Sequence, residues 1–251
     1  MSLAVVVPAL NEAQGITVTL EALAAQTQAD FALYVVDNGS TDGTADVVRA
    51  FAEERGLSRW HVVDEAEKGT GAAADTGMRA AMADGHTMIA RTDADCIPAA
   101  DWAERIVHYL DGGLEFVSGR VGARRDDVPV SATYSRVLDG TVSVGAFYGR
   151  HLRPANRGPE FKGPYVMTAG CNLGITARTY EAAGGFPRTR IEDVHEDRAL
   201  VNAVRTVTAD YGYRPDVRVL MSARRVHAWG LTRTLRWYAN HGYRPELVDI
   251  R

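Results

Sequence analysis

The stretch "HTMIARTDADCIP", His86 to Pro98, decides how this chain reads. "HTMIART" is an apolar, strand-like run. Asp93 and Asp95 follow it, with only Ala94 between them. In extended backbone, residues i and i+2 point to the same side, so both carboxylates face one way if strand geometry persists. Like charges that close raise each other's pKa unless a cation sits between them. A hard divalent ion with oxygen ligands, Mg²⁺ or Mn²⁺, is the natural candidate. Such ions keep few protein ligands and share the rest of their shell with water and phosphates. A strand-end turn carrying two solvated aspartates would use the same residues.

Upstream, short apolar runs alternate with helical patterns. "LAVVVPA", "FALYVVD" and "WHVVD" read as strands. Between them "GITVTLEALAAQT" carries Ile16, Leu20 and Leu23 at helical spacing, and "TADVVRAFAEERG" puts Val47, Val48 and Phe51 on one face before the stop signal Gly56. "GAAADTGMRAAMADG" reads as the helix that leads into "HTMIART". Strict alternation implies βαβ units and a parallel sheet covered on both faces. Downstream the pattern loosens. "ADWAERIVHYL" and "HEDRALVNAVRT" read as helices, "EFVSGRV" and "DVRVL" as strands, and "GCNLGITARTYEAAGGF" as a strand and short helix. A helix is expected over 131–148, a Gly-, Pro- and Arg-rich surface loop over 149–165, and a basic amphipathic helix in "LTRTLRWYANHG".

The chain has 251 residues, 46% of them hydrophobic, a formal net charge of −4 and two cysteines. One large domain is expected, with no basic field for nucleic acid. Cys96 and Cys171 form neither a disulfide scaffold nor a zinc spacing. No apolar run reaches the length of a membrane span, and the start lacks a basic leader, so a cytoplasmic protein is expected.

Ligands of open α/β sheets sit beyond the carboxyl ends of the strands. Four such ends are marked here. The first carries "PALNE". The second carries Asp37 in "VVDNGSTDGT". The third carries Lys68, Gly69 and Gly71 before a helix, a turn suited to an anion. The fourth carries Asp93, Ala94 and Asp95.

"VVVPALNE", "VVDNGSTDGT", "KGTGAAADTG", "DADCIP", "GCNLGITARTYEAAGGF" and "HEDRAL" occur in the order and spacing of family 2 glycosyltransferases, which the chain resembles over roughly residues 3 to 242. The resemblance implies a GT-A fold: an α/β architecture with a Rossmann-like, mostly parallel sheet flanked by helices. Residues 1–98 would bind the nucleotide sugar, and residues 99–251 would form a smaller acceptor-side half and C-terminal segment of the same domain. It implies an inverting transferase that moves a sugar from a nucleotide-diphosphate donor, UDP before GDP, to a hydroxyl on a small-molecule, lipid-linked or glycan acceptor. Pro8, Ala9 and Glu12 would line the nucleotide pocket and Asp37 would bond the base. Asp93 would face the ribose or the metal's water shell, and Asp95 would ligate Mn²⁺ or Mg²⁺. Asp197 would be the general base with Glu196 beside it, His227 would complete the metal shell, and Arg236 and Trp237 would cover the diphosphate.

The chain departs from the family pattern at Arg91 and Thr92, where apolar residues are usual, at Asp75, where asparagine is usual, and at Cys96. Two other readings use the same sheet. A sugar-phosphate nucleotidyltransferase carries Arg and Lys just after the first strand, whereas this chain has "PALNEAQG" there. An inactive nucleotide-sugar-binding protein would not need both the D-x-D and the E-D pair.

Overall fold

The computed structural model describes residues 2–128, 146–188, 195–230 and 232–234. Its strands β1 (Leu3–Ala9) and β2 (Phe31–Asp37) are buried along their whole length, as parallel strands covered on both faces must be. Side chains alternate between two cores. Leu3, Val5 and Val7 point to one face with α1 (Ile16–Ala24), α2 (Thr44–Glu54) and α4 (Trp102–Asp111). Ala4 and Val6 point to the other, toward α3 (Thr70–Ala83), α5 (Ala177–Ala182) and α6 (Glu196–Val207).

The eight-stranded sheet runs β3-β2-β1-β4-β7-β6-β8-β5. β3 (Trp60–Asp64), β2, β1 and β4 (Met88–Arg91) pair in parallel, as the alternation predicts. Beyond β4 the sheet is mixed. β7 (Leu173–Thr176) is antiparallel to both β4 and β6 (Phe116–Ala123), and β6 is parallel to β8 (Tyr211–Met221). β8 extends well before "DVRVL". Its N-terminal part, "YGYRP", carries glycine and proline in place of an apolar run, and β8 slips register against β6 between Gly119 and Arg120. Asn172 closes that irregularity: it accepts from Trp102 Nε1 at 2.9 Å and donates to the carbonyls of Arg120 and Val217 at 3.0 and 3.1 Å.

Two elements carry no sequence signal. β5 (Cys96–Pro98) is three residues long and borrows its regularity from β8. α7 (Arg224–Trp229) follows β8. The helix expected over 131–148 and the one in "LTRTLRWYANHG" fall largely outside the described residues. The described end of the first, 146–148, is helical as expected; the helix runs on to 151, inside the expected loop, where Pro154–Asn156 also forms a 3₁₀ turn.

The sheet accepts α3 closely at Gly77, where a Cβ would lie 2.5 Å from Val6 Cγ1 and 2.7 Å from Val36 Cγ2. Both valines are rigid core residues with no free space behind them. Gly77→Ala is therefore expected to cost about 1–3 kcal/mol in urea unfolding despite alanine's better helix propensity. An unchanged midpoint would contradict this packing.

Candidate active site

The carboxyl ends of β1, β2 and β3 lie in register, with Ala9 beside Asp37 and Asp37 beside Asp64. Their loops are bonded into one unit. The backbone N–H groups of Asn11, Glu12 and Ala13 donate to Ser40 Oγ, Thr44 Oγ1 and Asp42 Oδ2 at 2.8–2.9 Å, and Thr41 N–H returns a bond to Asn11 Oδ1. Buried Asn38 uses its amide fully: Nδ2 donates to the carbonyls of Glu65 and Glu67, and Oδ1 accepts from Gly69 N–H. Lys68, expected as an anion-binding cation, donates to the carbonyls of Asn38 and Gly39 at 2.8 and 3.1 Å, which holds its ammonium beside the glycine turn. Asp37 is buried. Its Oδ2 accepts from Ser40 N–H, while Oδ1 has no partner within the protein. A buried acceptor left open at a strand tip suits an incoming N–H donor.

The D-x-D does not continue the strand. The backbone turns at Ala94 and Asp95 before β5, so i/i+2 strand geometry does not hold the two carboxylates together. The Thr19 hydroxyl pins the turn to α1, within 2.8 and 2.7 Å of the carbonyls of Ala94 and Cys96. Each aspartate has its own arginine. Arg91, 1% exposed, donates from Nε to Asp93 Oδ1 at 3.1 Å and from Nη2 to Glu196 Oε1 at 3.4 Å. Its guanidinium carbon lies 4.9 Å from the centre of the Phe186 ring. Burial alone would lower its pKa, but the charges of Asp93 and Glu196 more than offset this and hold it above the usual arginine value. Arg224, on α7, donates to Glu12 at 2.8 and 3.0 Å and reaches Asp95 Oδ2 at 3.5 Å. Arg91 thus stands in the sequence as a departure, yet in the fold it joins the D-x-D to the E-D pair. The available signal was a cation inside an apolar strand run, which must be paired.

Glu196 is buried and Asp197 half-buried at the first turn of α6. Gly71 allows that approach, since a Cβ there would lie 2.2 Å from the Pro187 carbonyl oxygen and 3.4 Å from Glu196 Cβ. Burial, then the charge of Glu196, pushes Asp197 up to about 7, against the opposing pull of the Arg198 N–H and Arg91. Because the folded state holds this proton more tightly than the unfolded chain does, the stability it contributes is full below the ordinary carboxylate pKa and is lost as pH rises through about 7.

Another departure, Asp75, is also a buried hub. It accepts from Tyr180 Oη and Arg79 Nε at 2.8 Å and from Arg188 Nη1 at 3.3 Å. Arg188 also bonds Glu65 and Glu67, tying the segment before α6 to the third strand end. His227 is exposed on α7. Arg236 and Trp237 lie outside the described residues. Glu12, Asp93 and Asp95 offer only hard carboxylate oxygens, the chemistry a Mg²⁺ or Mn²⁺ ion prefers. Among the described residues, no three His, Cys, Asp or Glu side chains gather at metal-holding spacing. A metal here would draw most of its shell from a diphosphate and water.

Removing Arg91 would leave Glu196 buried without a cation. Arg91→Met is expected to lose about 3–5 kcal/mol at pH 7, the usual cost of breaking a buried pair on one side. Part should return as pH falls, because the orphaned carboxylate would titrate above its unfolded value. Equal losses at pH 5 and pH 8 in denaturant titrations would contradict the pairing.

Comparison with known proteins agrees with this architecture. The family described as Glycosyl transferase family 2 matches residues 4–174. Glycosyltransferase AglE of Haloferax volcanii is 35% identical over 120 residues, 47% of this chain and 38% of AglE. An uncharacterized glycosyltransferase of Mycobacterium tuberculosis is 35% identical over 116 residues, 46% of this chain and 47% of that protein. The chain therefore spans less than half the length of these curated relatives. The mannosyltransferase PcManGT of Pyrobaculum calidifontis, solved with GDP-Man and Mn²⁺, superposes with a TM-score of 0.67 at 25% identity, covering 95% of this chain and 62% of that one. TarS of S. aureus, solved with UDP-GlcNAc, shares the fold with a TM-score of 0.63 at 16% identity, over 88% of this chain and 58% of that one. With its α/β sheet of GT-A type and its strand-end motifs in place, the chain belongs to glycosyl transferase family 2.

Proposed function

We propose that this protein is an inverting glycosyltransferase that uses a nucleotide-diphosphate sugar, with Asp197 as the base that deprotonates the acceptor hydroxyl. The observation that carries this reading is Asp197 itself. A half-buried carboxylate titrating at about 7 is poised to take a proton near neutral pH, and it sits one residue from the Glu196 that Arg91 ties to the D-x-D. Residues 1–98 form the donor half. Pro8, Ala9 and Glu12 line the nucleotide site, the open Oδ1 of Asp37 accepts an N–H of the base, and Gly69 gives the third strand end its turn. Residues 99–251 supply the acceptor half. The family favours UDP, while PcManGT was solved with GDP-Man; a nucleotide diphosphate is common to both.

Asp95, with Asp93 nearby and His227 offered from α7, would hold Mn²⁺ or Mg²⁺. That ion, when bound, would neutralise charge developing on the diphosphate. The chain's own residues do the rest. Asp197 removes the hydroxyl proton as the oxygen attacks the anomeric carbon from the face opposite the diphosphate. The bond to the diphosphate breaks in the same step, and the configuration inverts. Glu196, fixed by Arg91, orients the acceptor or the sugar. Arg224 holds Glu12 and the D-x-D turn together at the donor side.

Release of nucleotide diphosphate from donor, with water or added hydroxyl acceptors, tests the base. The rate is expected to rise with pH to a plateau above about 7. Asp197→Asn should remove that limb and lose about 10²- to 10⁴-fold in rate, or roughly 3–5 kcal/mol of barrier, with donor affinity kept. A product that retains the donor's configuration would refute a single displacement, and release of pyrophosphate would favour a nucleotidyltransferase.

The metal clamp is tested separately by thermal shift. Nucleotide diphosphate with Mn²⁺ should raise Tm in proportion to occupancy. Asp95→Ala should abolish the metal-dependent part of that rise with the fold intact. A full rise in excess chelator would remove the metal from the reading.

A further inference from the structure

The three most exposed large hydrophobic side chains of the described residues fall within six positions of one another: Phe147 at 60%, Leu152 at 56% and Tyr148 at 51%. They belong to the helical turn at 146–151 and its end. Phe147 packs against His151 with ring centroids 4.8 Å apart and the planes tilted by 41°, and the Leu152 N–H donates to the Tyr148 carbonyl at 2.9 Å. The four side chains stand at i, i+1, i+4 and i+5, which is one face of a helix.

The opposite side of the segment is anchored. Buried Gly149 lies against Tyr165, with 2.9 Å from a notional Cβ to the ring. Its carbonyl accepts from Asn156 Nδ2 at 2.9 Å, and the Asn156 carbonyl accepts from Arg205 Nη2 at 2.9 Å. Arg205 belongs to α6, the helix that begins with Glu196 and Asp197. The apolar face is therefore held outward by a built support on the helix bearing the candidate base.

Its charge identifies what it meets. From 146 to 159 the sequence holds Arg150, Arg153, Arg157 and His151 and no acidic residue, in a chain whose net charge is −4. Arg150 and Arg157 are exposed, and no carboxylate pairs with either among the described residues. Exposed aromatic and aliphatic tips rimmed by unpaired guanidinium groups match an anionic lipid surface. The apolar tips enter the acyl boundary while the cations meet headgroup phosphates.

We propose that residues 146–157 form a peripheral membrane contact that seats the acceptor side of the protein on an anionic bilayer. If Asp197 is the base, this contact brings the acceptor side to the lipid headgroups. The contact itself does not depend on that assignment.

Co-sedimentation of the full chain with vesicles tests it without any turnover, so it can fail while the glycosyltransferase reading stands, and the reverse. Binding to phosphatidylglycerol-containing vesicles is expected, weakened by high salt, with little binding to pure phosphatidylcholine. Arg150→Gln with Arg157→Gln should lower the affinity roughly 25-fold, about fivefold for each cation near the surface. Phe147→Ser with Leu152→Ser should lower it on the order of tenfold or more. Tm should not change in either variant, because the side chains removed are exposed. No binding to anionic vesicles, or binding that both variants retain, would overturn the proposal.

Discussion

One buried guanidinium organises this site. Arg91 ends the fourth strand with almost no contact with water, a position where an unpaired charge would cost several kcal/mol. It is tolerated because it bonds Asp93 two residues on and Glu196, which lies 105 residues further along the chain. The same cation thus fixes the exit of β4, the entry of α6 and the distance between two acidic motifs. Without it, Asp93, Glu196 and Asp197 would put three carboxylates near one another at low dielectric. With it in place, burial and the charge of Glu196 push Asp197 up to about 7.

The other strand-end loops follow the same rule with different groups. Arg224 joins Glu12, at the end of the first strand, to Asp95, at the end of the fourth. Asn38 joins the second strand end to the third through both ends of its amide. The four loops that diverge from the sheet are thereby held before any ligand arrives, which is the arrangement that lowers the cost of binding and of orientation. Lys68 shows the consequence for individual residues. Its ammonium bonds two carbonyls, so its charge is held in place next to the glycine turn.

Two of the four departures from the family pattern, Arg91 and Asp75, are both charged and both buried. Arg91 adds a positive charge beside the E-D pair. Asp75 adds a negative one, met by Tyr180, Arg79 and Arg188. Arg188 in turn draws Glu65 and Glu67 toward the segment before α6. Each of these charges is met by its partners, and those partners link residues 1–98 to residues 99–251.

The sequence by itself determined the parallel half. Continuous apolar runs in "LAVVVPA" and "FALYVVD" and the helical spacing of Ile16, Leu20 and Leu23 are local signals, and each reports burial directly. The strand-end motifs were legible for the same reason, since turn residues at strand tips are a local pattern. What only the tertiary structure decided is non-local. β5 is too short to have a period and exists because β8 pairs with it. The register slip of β6 against β8 is bridged by Asn172, the residue before β7. The D-x-D sits in a turn, not on a strand face, and its cations come from the strand before it and from α7 far along the chain. Sequence spacing carries side-chain direction only while the backbone stays regular, so charge pairing between distant residues was settled by the fold.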